Sequence, residues 1–356
     1  MQHLWLFASV LVASAILTGL VRRVSQRSGL IDRPNARSSH SRPVPRGGGA
    51  AIVVTFLAAL SLLAGEGTIG WPLAFALIAG GGIIAATGLV DDMRSLDAAP
   101  RLVLHFVGAG IALYAIGGMP PVSFGGQPVD LGLPGDVLAW IAVVWMLNLF
   151  NFMDGIDGIA GVEVVTVSLC AALLLMMRTN AGAALPGVAL AAAATGFLIW
   201  NLPRARIFMG DVGSGFVGLA VAVLALGWSA LNPAMFWAML ILCGAFIVDA
   251  TYTLLARLAQ GHAPHIAHRT HTYQIAARRF AGHLPVTLSV AVINIVWLLP
   301  LAWAVVDGFL AGPFALLAAY APLIALAVWF GAGRPDSQKQ QDHSDNARHE
   351  ETDASH

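Results

Sequence analysis

Charge is scarce in this sequence. Of its 356 residues only 11% are Asp, Glu, Lys or Arg, against 58% that are apolar. No water-soluble domain of that length needs so much apolar surface, so a soluble fold is excluded and a polytopic membrane protein is indicated. Cysteine is nearly absent as well. Cys170 and Cys243 fall inside apolar runs and lack metal-ligand spacing, which argues against a disulfide framework or a zinc site and leaves them as small buried hydrophobes. The formal net charge is zero, so there is no basic excess for a nucleic-acid partner, and none is expected. The chain also lacks an internal repeat and any sign of a second domain.

Apolar runs fill the space. A membrane-crossing helix needs about 20 largely apolar residues, with a range of roughly 17–25. Runs of that kind lie near 4–21, 49–65, 71–90, 102–118, 136–150, 160–177, 184–201, 213–231, 234–255, 285–306 and 309–330. The expected fold is therefore all-α and polytopic, with about 11 transmembrane helices. The first run resembles a signal peptide at Ala13-Ser14-Ala15, but no basic region precedes it and Arg22-Arg23 follow it. An uncleaved first span with its amino terminus outside fits better. One membrane-embedded catalytic domain over 1–330 is expected, with cytoplasmic loops at 22–48, 91–101, 151–159, 202–212 and 256–284. The polar tail 331–356 lacks aromatic residues and reads as disordered and cytoplasmic.

Basic residues set the orientation, because Lys and Arg accumulate on the cytoplasmic side. With the loop after the first span placed inside, 18 of the 19 basic residues fall on inside segments and only Arg178 falls outside. A miscounted span in the middle would destroy that asymmetry. The same alternation puts three acidic stretches on one face: Asp91-Asp92 in LVDDMRSLD, Asp154 and Asp157 in NLFNFMDGIDGIAG, and Asp211 in RIFMGDVGSG. A carboxylate at a bilayer edge is costly unless it has a cation or a partner. Taken singly, each could equally end a helix or pair with an arginine. Three at the same face favour one site.

The spacing suggests roles. Asp91 and Asp92 diverge by about 100° on a helix, so one can face a metal while the other faces a substrate. Asn148, Asn151, Asp154 and Asp157 step by three, each adjoining the next on a helical surface, until Gly155 and Gly158 break the pattern. Asp211 lies between Gly210 and Gly213, where backbone can approach a phosphate and Ser214 adds a hydroxyl. Oxygen donors without cysteine suit a hard cation, Mg²⁺ or Mn²⁺. In the loop 256–284, His265, His268 and His271 recur every third residue in HIAHRTH with Arg269 among them, an arrangement suited to a diphosphate. His262 and His283 read as solvated. In the basic first loop, Arg46 beside Gly47 to Gly49 is the best phosphate-gripping candidate, the others serving equally well as a topology signal. Phe208 would ordinarily anchor the interface, but beside Asp211 it can stack on a base. Glu163 reads as solvated near the end of its span, and Asp249, inside an apolar run, as a structural hydrogen-bonder left off the site.

With these motifs in order, the chain resembles the polyprenyl-phosphate N-acetylhexosamine-1-phosphate transferases, the WecA/MraY superfamily. The resemblance rests on LVDDMRSLD, NLFNFMDGIDGIAG, FMGDVGSGFVG and the His-rich loop, and spans the first ten apolar runs. It implies transfer of a sugar 1-phosphate from a UDP-N-acetylhexosamine to undecaprenyl phosphate, with release of UMP and a requirement for Mg²⁺ or Mn²⁺. It implies a multi-pass protein of the bacterial inner membrane with its active site on the cytoplasmic face. Position by position, Asp91 and Asp92 match the family's aspartate pair and Asp211 its metal-binding aspartate. Asn151, Asp154 and Asp157 match the nucleotide-side motif, and Phe208 the aromatic that stacks on uracil. His265, His268, Arg269 and His271 stand where the family groups histidines, here spread in HIAHRTHTYQ in the manner of the branch that starts O-antigen or related polysaccharides. Arg101 and His105 stand where the family more often has Lys and Gln, which makes Arg101 a second phosphate candidate. The family analogy allows a homodimer.

Two other readings compete. An intramembrane prenyltransferase would want two Asp-rich helices of DxxxD type. A cation-coupled transporter would place its charges near the bilayer midplane in repeated halves. Neither pattern is present. The sequence does not choose the donor sugar, nor between direct attack by the lipid phosphate and a covalent aspartyl intermediate. Asp92→Asn and Asp211→Asn are each expected to abolish transfer with folding intact.

Overall fold

In a computed structural model the chain is described over residues 3–34, 40, 42–178, 181–262 and 268–334. Without water in a bilayer, backbone groups must pair within their own segment, so the apolar runs become helices. In chain order these are α1 (Leu4–Ser28), α2 (Gly49–Gly65), α3 (Trp71–Arg94), α4 (Ala98–Ala115), α5 (Gly132–Met153), α6 (Ile159–Arg178) and α7 (Ala181–Asn201). Then follow α8 (Asp211–Leu231), α9 (Ala234–Leu242), α10 (Gly244–Ala259), α11 (Thr272–Arg279), α12 (His283–Val306) and α13 (Gly312–Phe330). Two short antiparallel pairs complete the inventory: β1 (Ile31–Asp32) with β2 (Val44–Pro45), and β3 (Val122–Phe124) with β4 (Gln127–Val129).

Among the described residues, nine helices are long and apolar enough to cross a membrane, and α2 is shorter at 17 residues. The run 234–255 departs from expectation. It breaks at Cys243 into α9 and α10, bent by 68°. The break is stabilised from α13, where the Tyr320 hydroxyl donates to the Leu240 carbonyl at 2.8 Å in the last turn of α9. A helix end inside the bundle needs such a partner.

α8 is the most enclosed helix, packed on α3, α5 and α2, while α1 and α13 are the most exposed. The first residue of this central helix is Asp211. Its start lies against the start of α2, where Gly49 and Gly213 touch: a Cβ on Gly213 would meet Gly49 Cα at 2.6 Å. Gly213 therefore serves helix packing rather than a phosphate approach.

Glu163 is not solvated. It is fully buried on α6, accepting from Asn294 Nδ2 at 2.7 Å, and the same amide reaches Thr166 Oγ1 at 2.8 Å. Asn294 lies in a π-turn of α12 (Ile293–Leu298), whose extra residue per turn re-aims the side chain inward. Arg178, the one basic residue expected on the far side, sits at the opposite end of α6 from Asp157 and pairs with Asp307 at 2.6 Å.

Candidate active site

The five polar segments between helices meet around one cavity of about 910 Å³. Arg46, Asp92, Arg101, Asn151, Asp154, Asp157, Phe208, Asp211, His268 and His271 all line it. The acidic stretches, basic loops and histidine segment therefore share one end of the bundle. One flank is apolar: Leu102, Phe106, Ile141, Val144 and Trp145 form a wall between α4 and α5. Such a cavity takes an amphipathic substrate, with charge at one end and hydrocarbon at the other.

Asp92 is the organising group. Its side chain has no exposed surface and accepts from Arg46 Nε at 2.9 Å, Asp211 N at 3.1 Å and Val212 N at 3.2 Å. The last two are unsatisfied donors at the start of α8, so a carboxylate from the end of α3 caps α8, where the helix dipole also favours negative charge. Gly210 makes this approach possible. It sits at φ 74°, and a Cβ there would meet Asp92 Oδ2 at 2.5 Å. A backbone stitch holds the same corner: Phe208 N donates to Pro45 O at 2.8 Å, and Gly48 N and Gly49 N donate to Phe208 O and Met209 O at 2.9 and 2.8 Å.

Asp91 accepts from Leu96 N and Arg101 Nη1, both at 2.6 Å. Arg101 is also 3.9 Å from Asp211, whose other oxygen accepts from Asn151 Nδ2 at 2.9 Å. Burial and the neighbouring Asp91 and Asp92 carboxyls make a charge on Asp211 costly, a cost that a shared proton or a bound cation would relieve. Asp154 follows the last turn of α5, half-buried. Burial, then Asp211, Asp92 and Asp157, push its carboxyl well above the usual range. Five carboxylates thus face two guanidiniums. Among the described residues no three acidic, histidine or cysteine groups form a ready-made metal shell. The surplus of oxygen donors nonetheless fits a hard divalent cation.

Asp157 mostly organises its own loop. It accepts from Ala205 N at 3.1 Å, stands 3.2 Å from His283 Nδ1, and takes the Thr287 hydroxyl on its carbonyl at 2.8 Å. His283 is thus docked on the loop rather than solvated. Phe208 meets the edge of His40 at 4.9 Å, a ring that sequence reasoning had not singled out.

In the histidine segment His265 lies outside the described residues. Arg269 stands off the cavity wall, its carbonyl taking Arg278 Nη1 at 2.9 Å. His271 stacks between His268, at 4.9 Å, and Tyr273, at 5.7 Å. Burial, His271 and Arg257 push His268 down to about 3, so it is a neutral ring at working pH. Beneath His271 lies Asp249, which accepts from Thr272 N at 2.8 Å and Tyr273 N at 2.9 Å and stands 3.4 Å from His271 Nδ1. Its structural bonding was anticipated. Its contact with His271 was not, although Asp249, Thr253 and Arg257, one helical turn apart, mark a polar stripe on an apolar helix.

Comparison with known proteins gives concordant findings. Residues 74–229 match the model of glycosyl transferase family 4. That stretch contains all three acidic motifs but neither Arg46 nor the histidine segment. A probable undecaprenyl-phosphate N-acetylglucosaminyl 1-phosphate transferase of Bacillus subtilis is 28% identical over 287 residues, covering 76% of this chain and 78% of that protein. A decaprenyl-phosphate N-acetylglucosaminephosphotransferase of Mycolicibacterium smegmatis is 30% identical, covering 71% of each. An undecaprenyl-phosphate alpha-N-acetylglucosaminyl 1-phosphate transferase of Salmonella typhi is 28% identical over 76% of this chain and 75% of that one.

Proposed function

The chain belongs to the polyprenyl-phosphate N-acetylhexosamine-1-phosphate transferases of glycosyl transferase family 4, and from that premise we propose how its residues carry out the transfer. It is a phosphoglycosyl transferase that moves a hexosamine 1-phosphate onto a polyprenyl phosphate. The finer reading is that the donor is a UDP-N-acetylhexosamine and the acceptor undecaprenyl phosphate. On that reading the protein sits in a bacterial inner membrane, amino terminus outside and carboxyl terminus cytoplasmic, with residues 1–330 as one catalytic domain opening to the cytoplasm. The product starts a cell-envelope polysaccharide. One observation carries this: carboxylates, arginines and histidines from five segments share a cavity with one apolar flank.

An oxygen of the lipid phosphate attacks the phosphorus that bears the sugar. The bond from that phosphorus to the oxygen of the nucleotide's own phosphate breaks, and its electron pair leaves with UMP. Such chemistry needs positioning and charge neutralisation above all. Arg101, with fixed orientation from Asp91, and Arg46, with fixed orientation from Asp92, grip phosphate oxygens from two sides. Phe208 stacks on the base, with His40 against its edge. Asn151, Asp154 and Asp157 serve the nucleotide side, and His268 and His271, which line the cavity, serve the diphosphate. Asp211, Asp154 and Asp91 would hold Mg²⁺ or Mn²⁺, which neutralises diphosphate charge when bound.

The hydrogen bonds around the aspartate pair support a division of labour. Asp92 is covered and fully bonded, a positioning residue rather than a nucleophile. Asp91, next to Arg101 and Asp211, borders the chemistry. Direct attack by the lipid phosphate is the proposed route, with an aspartyl intermediate on Asp91 as its rival. Membranes containing the protein should release UMP from a UDP-N-acetylhexosamine only with polyprenyl phosphate and Mg²⁺ or Mn²⁺ together. UMP release without the lipid phosphate would sink the direct-attack reading, and a panel of donors would identify the sugar.

A further inference from the structure

We propose that the edge between α1 and α7 carries a binding site for the phosphate of an anionic phospholipid, formed by Arg22, Trp200 and Arg206. None of the three lines the catalytic cavity, and the proposal stands apart from the transfer reaction. The construction begins at Gly19, where a Cβ would meet Trp200 Cζ2 at 2.8 Å; its absence lets the indole lie flat on α1. The indole Nε1 donates to Ala15 O at 2.8 Å and fixes the ring. The Arg22 guanidinium lies 5.7 Å from the ring centroid and that of Arg206 5.1 Å from it. Arg206 is held there by its own N–H on Trp200 O at 2.8 Å and by Nη2 on Ile199 O at 3.1 Å.

Two cations thus share one ring, a favourable contact for each and a repulsive one between them. Among the described residues no carboxylate pairs with either, and Arg22 Nε is buried with no hydrogen-bond partner. A buried donor without an acceptor is costly, and an anion on the remaining guanidinium nitrogens of Arg22 would offset the uncompensated charge. Arg23, Arg27 and Arg204 add exposed positive charge nearby. The surrounding surface identifies where the anion comes from. Ile16, Leu20, Val24 and Ile199 are all about half exposed, as side chains facing lipid are. A Trp and arginines at the rim of an exposed apolar face match the headgroup layer, where anionic lipid phosphates concentrate. Free phosphate offers the same oxygens without the acyl chains.

The full-length protein in nanodiscs of phosphatidylcholine, with or without phosphatidylglycerol, tests this by native mass spectrometry of retained lipid and by the thermal midpoint. Wild-type protein should keep phosphatidylglycerol in preference to phosphatidylcholine and gain midpoint from it. Arg22→Gln/Arg206→Gln should lose both effects. Arg23→Gln/Arg27→Gln, which removes equal charge away from the indole, should keep them. Inorganic phosphate added to pure phosphatidylcholine discs should leave the midpoint unchanged; a rise confined to the wild type would support the anion site with a soluble occupant. Equal losses in the two double variants would overturn the proposal, as would retention in Arg22→Gln/Arg206→Gln. If that variant fails to fold, Arg206→Gln alone, on an exposed side chain, decides by the same readouts.

Discussion

Asp92→Asn should do two things at once, and their sizes follow from the cap on α8. The carboxylate accepts from Arg46 Nε and Asp211 N on one oxygen and from Val212 N on the other, with no solvent access. Asparagine retains one oxygen. With that oxygen toward Arg46 and Asp211 N, the amide nitrogen points at Val212 N–H, donor against donor. A lost hydrogen bond to a charged group costs about 1.5–3 kcal/mol, and an unpaired buried donor about 1–3 kcal/mol. These overlap, so about 2–4 kcal/mol is expected, a midpoint drop of roughly 3–5 °C for a chain of this length. Asp91→Asn differs. Its partner Arg101 is about one-third exposed, so water replaces much of what is lost, and the midpoint should fall by no more than about 2 °C while transfer collapses. Thermal unfolding and UMP release, measured on the same preparations, separate the two. An Asp92→Asn protein with wild-type midpoint and no transfer would refute the positioning role and return Asp92 to the chemistry. The motif alone led to an expectation of intact folding for this variant; the three hydrogen bonds revise it.

Asp249→Asn should lower kcat/KM by about 10–100-fold, mainly through KM for the nucleotide-sugar, because His271 loses the group that orients its ring. In a His271→Ala background the same change should have little further effect, and full additivity in that cycle would show that Asp249 acts without His271. His268 titrates at about 3 when folded, against an ordinary 6.5. The unfolded chain therefore takes up a proton that the folded one refuses, and stability falls as pH drops from about 6.5 toward 3. His268→Gln should lose less thermal midpoint across that window than wild type, and parallel curves would contradict the burial of a neutral ring.

Hydropathy and charge made the helices and the shared face of the aspartates legible, because both properties are local to each run. What escaped depends on contacts between runs. The bend at Cys243 needs Tyr320 from α13, and the burial of Glu163 needs Asn294 turned inward by a π-turn. His283 read as solvated because its partner, Asp157, lies 126 residues away along the chain. The motif also marked Asp91 and Asp92 as equivalent neighbours. Only the start of α8, brought against one of them, tells them apart.

The bonding of Asp92 also joins two very different ranges of the chain. Arg46 and Asp92 are 46 residues apart, whereas the N–H of Asp211 arrives 119 residues after Asp92. Four helices, α4 to α7, lie in the chain between that pair and the helix start that Asp92 caps. Residues 208–213 close this corner onto Pro45, Gly48, Gly49 and Asp92, so one carboxylate ties a contact of shorter sequence range to one of longer range.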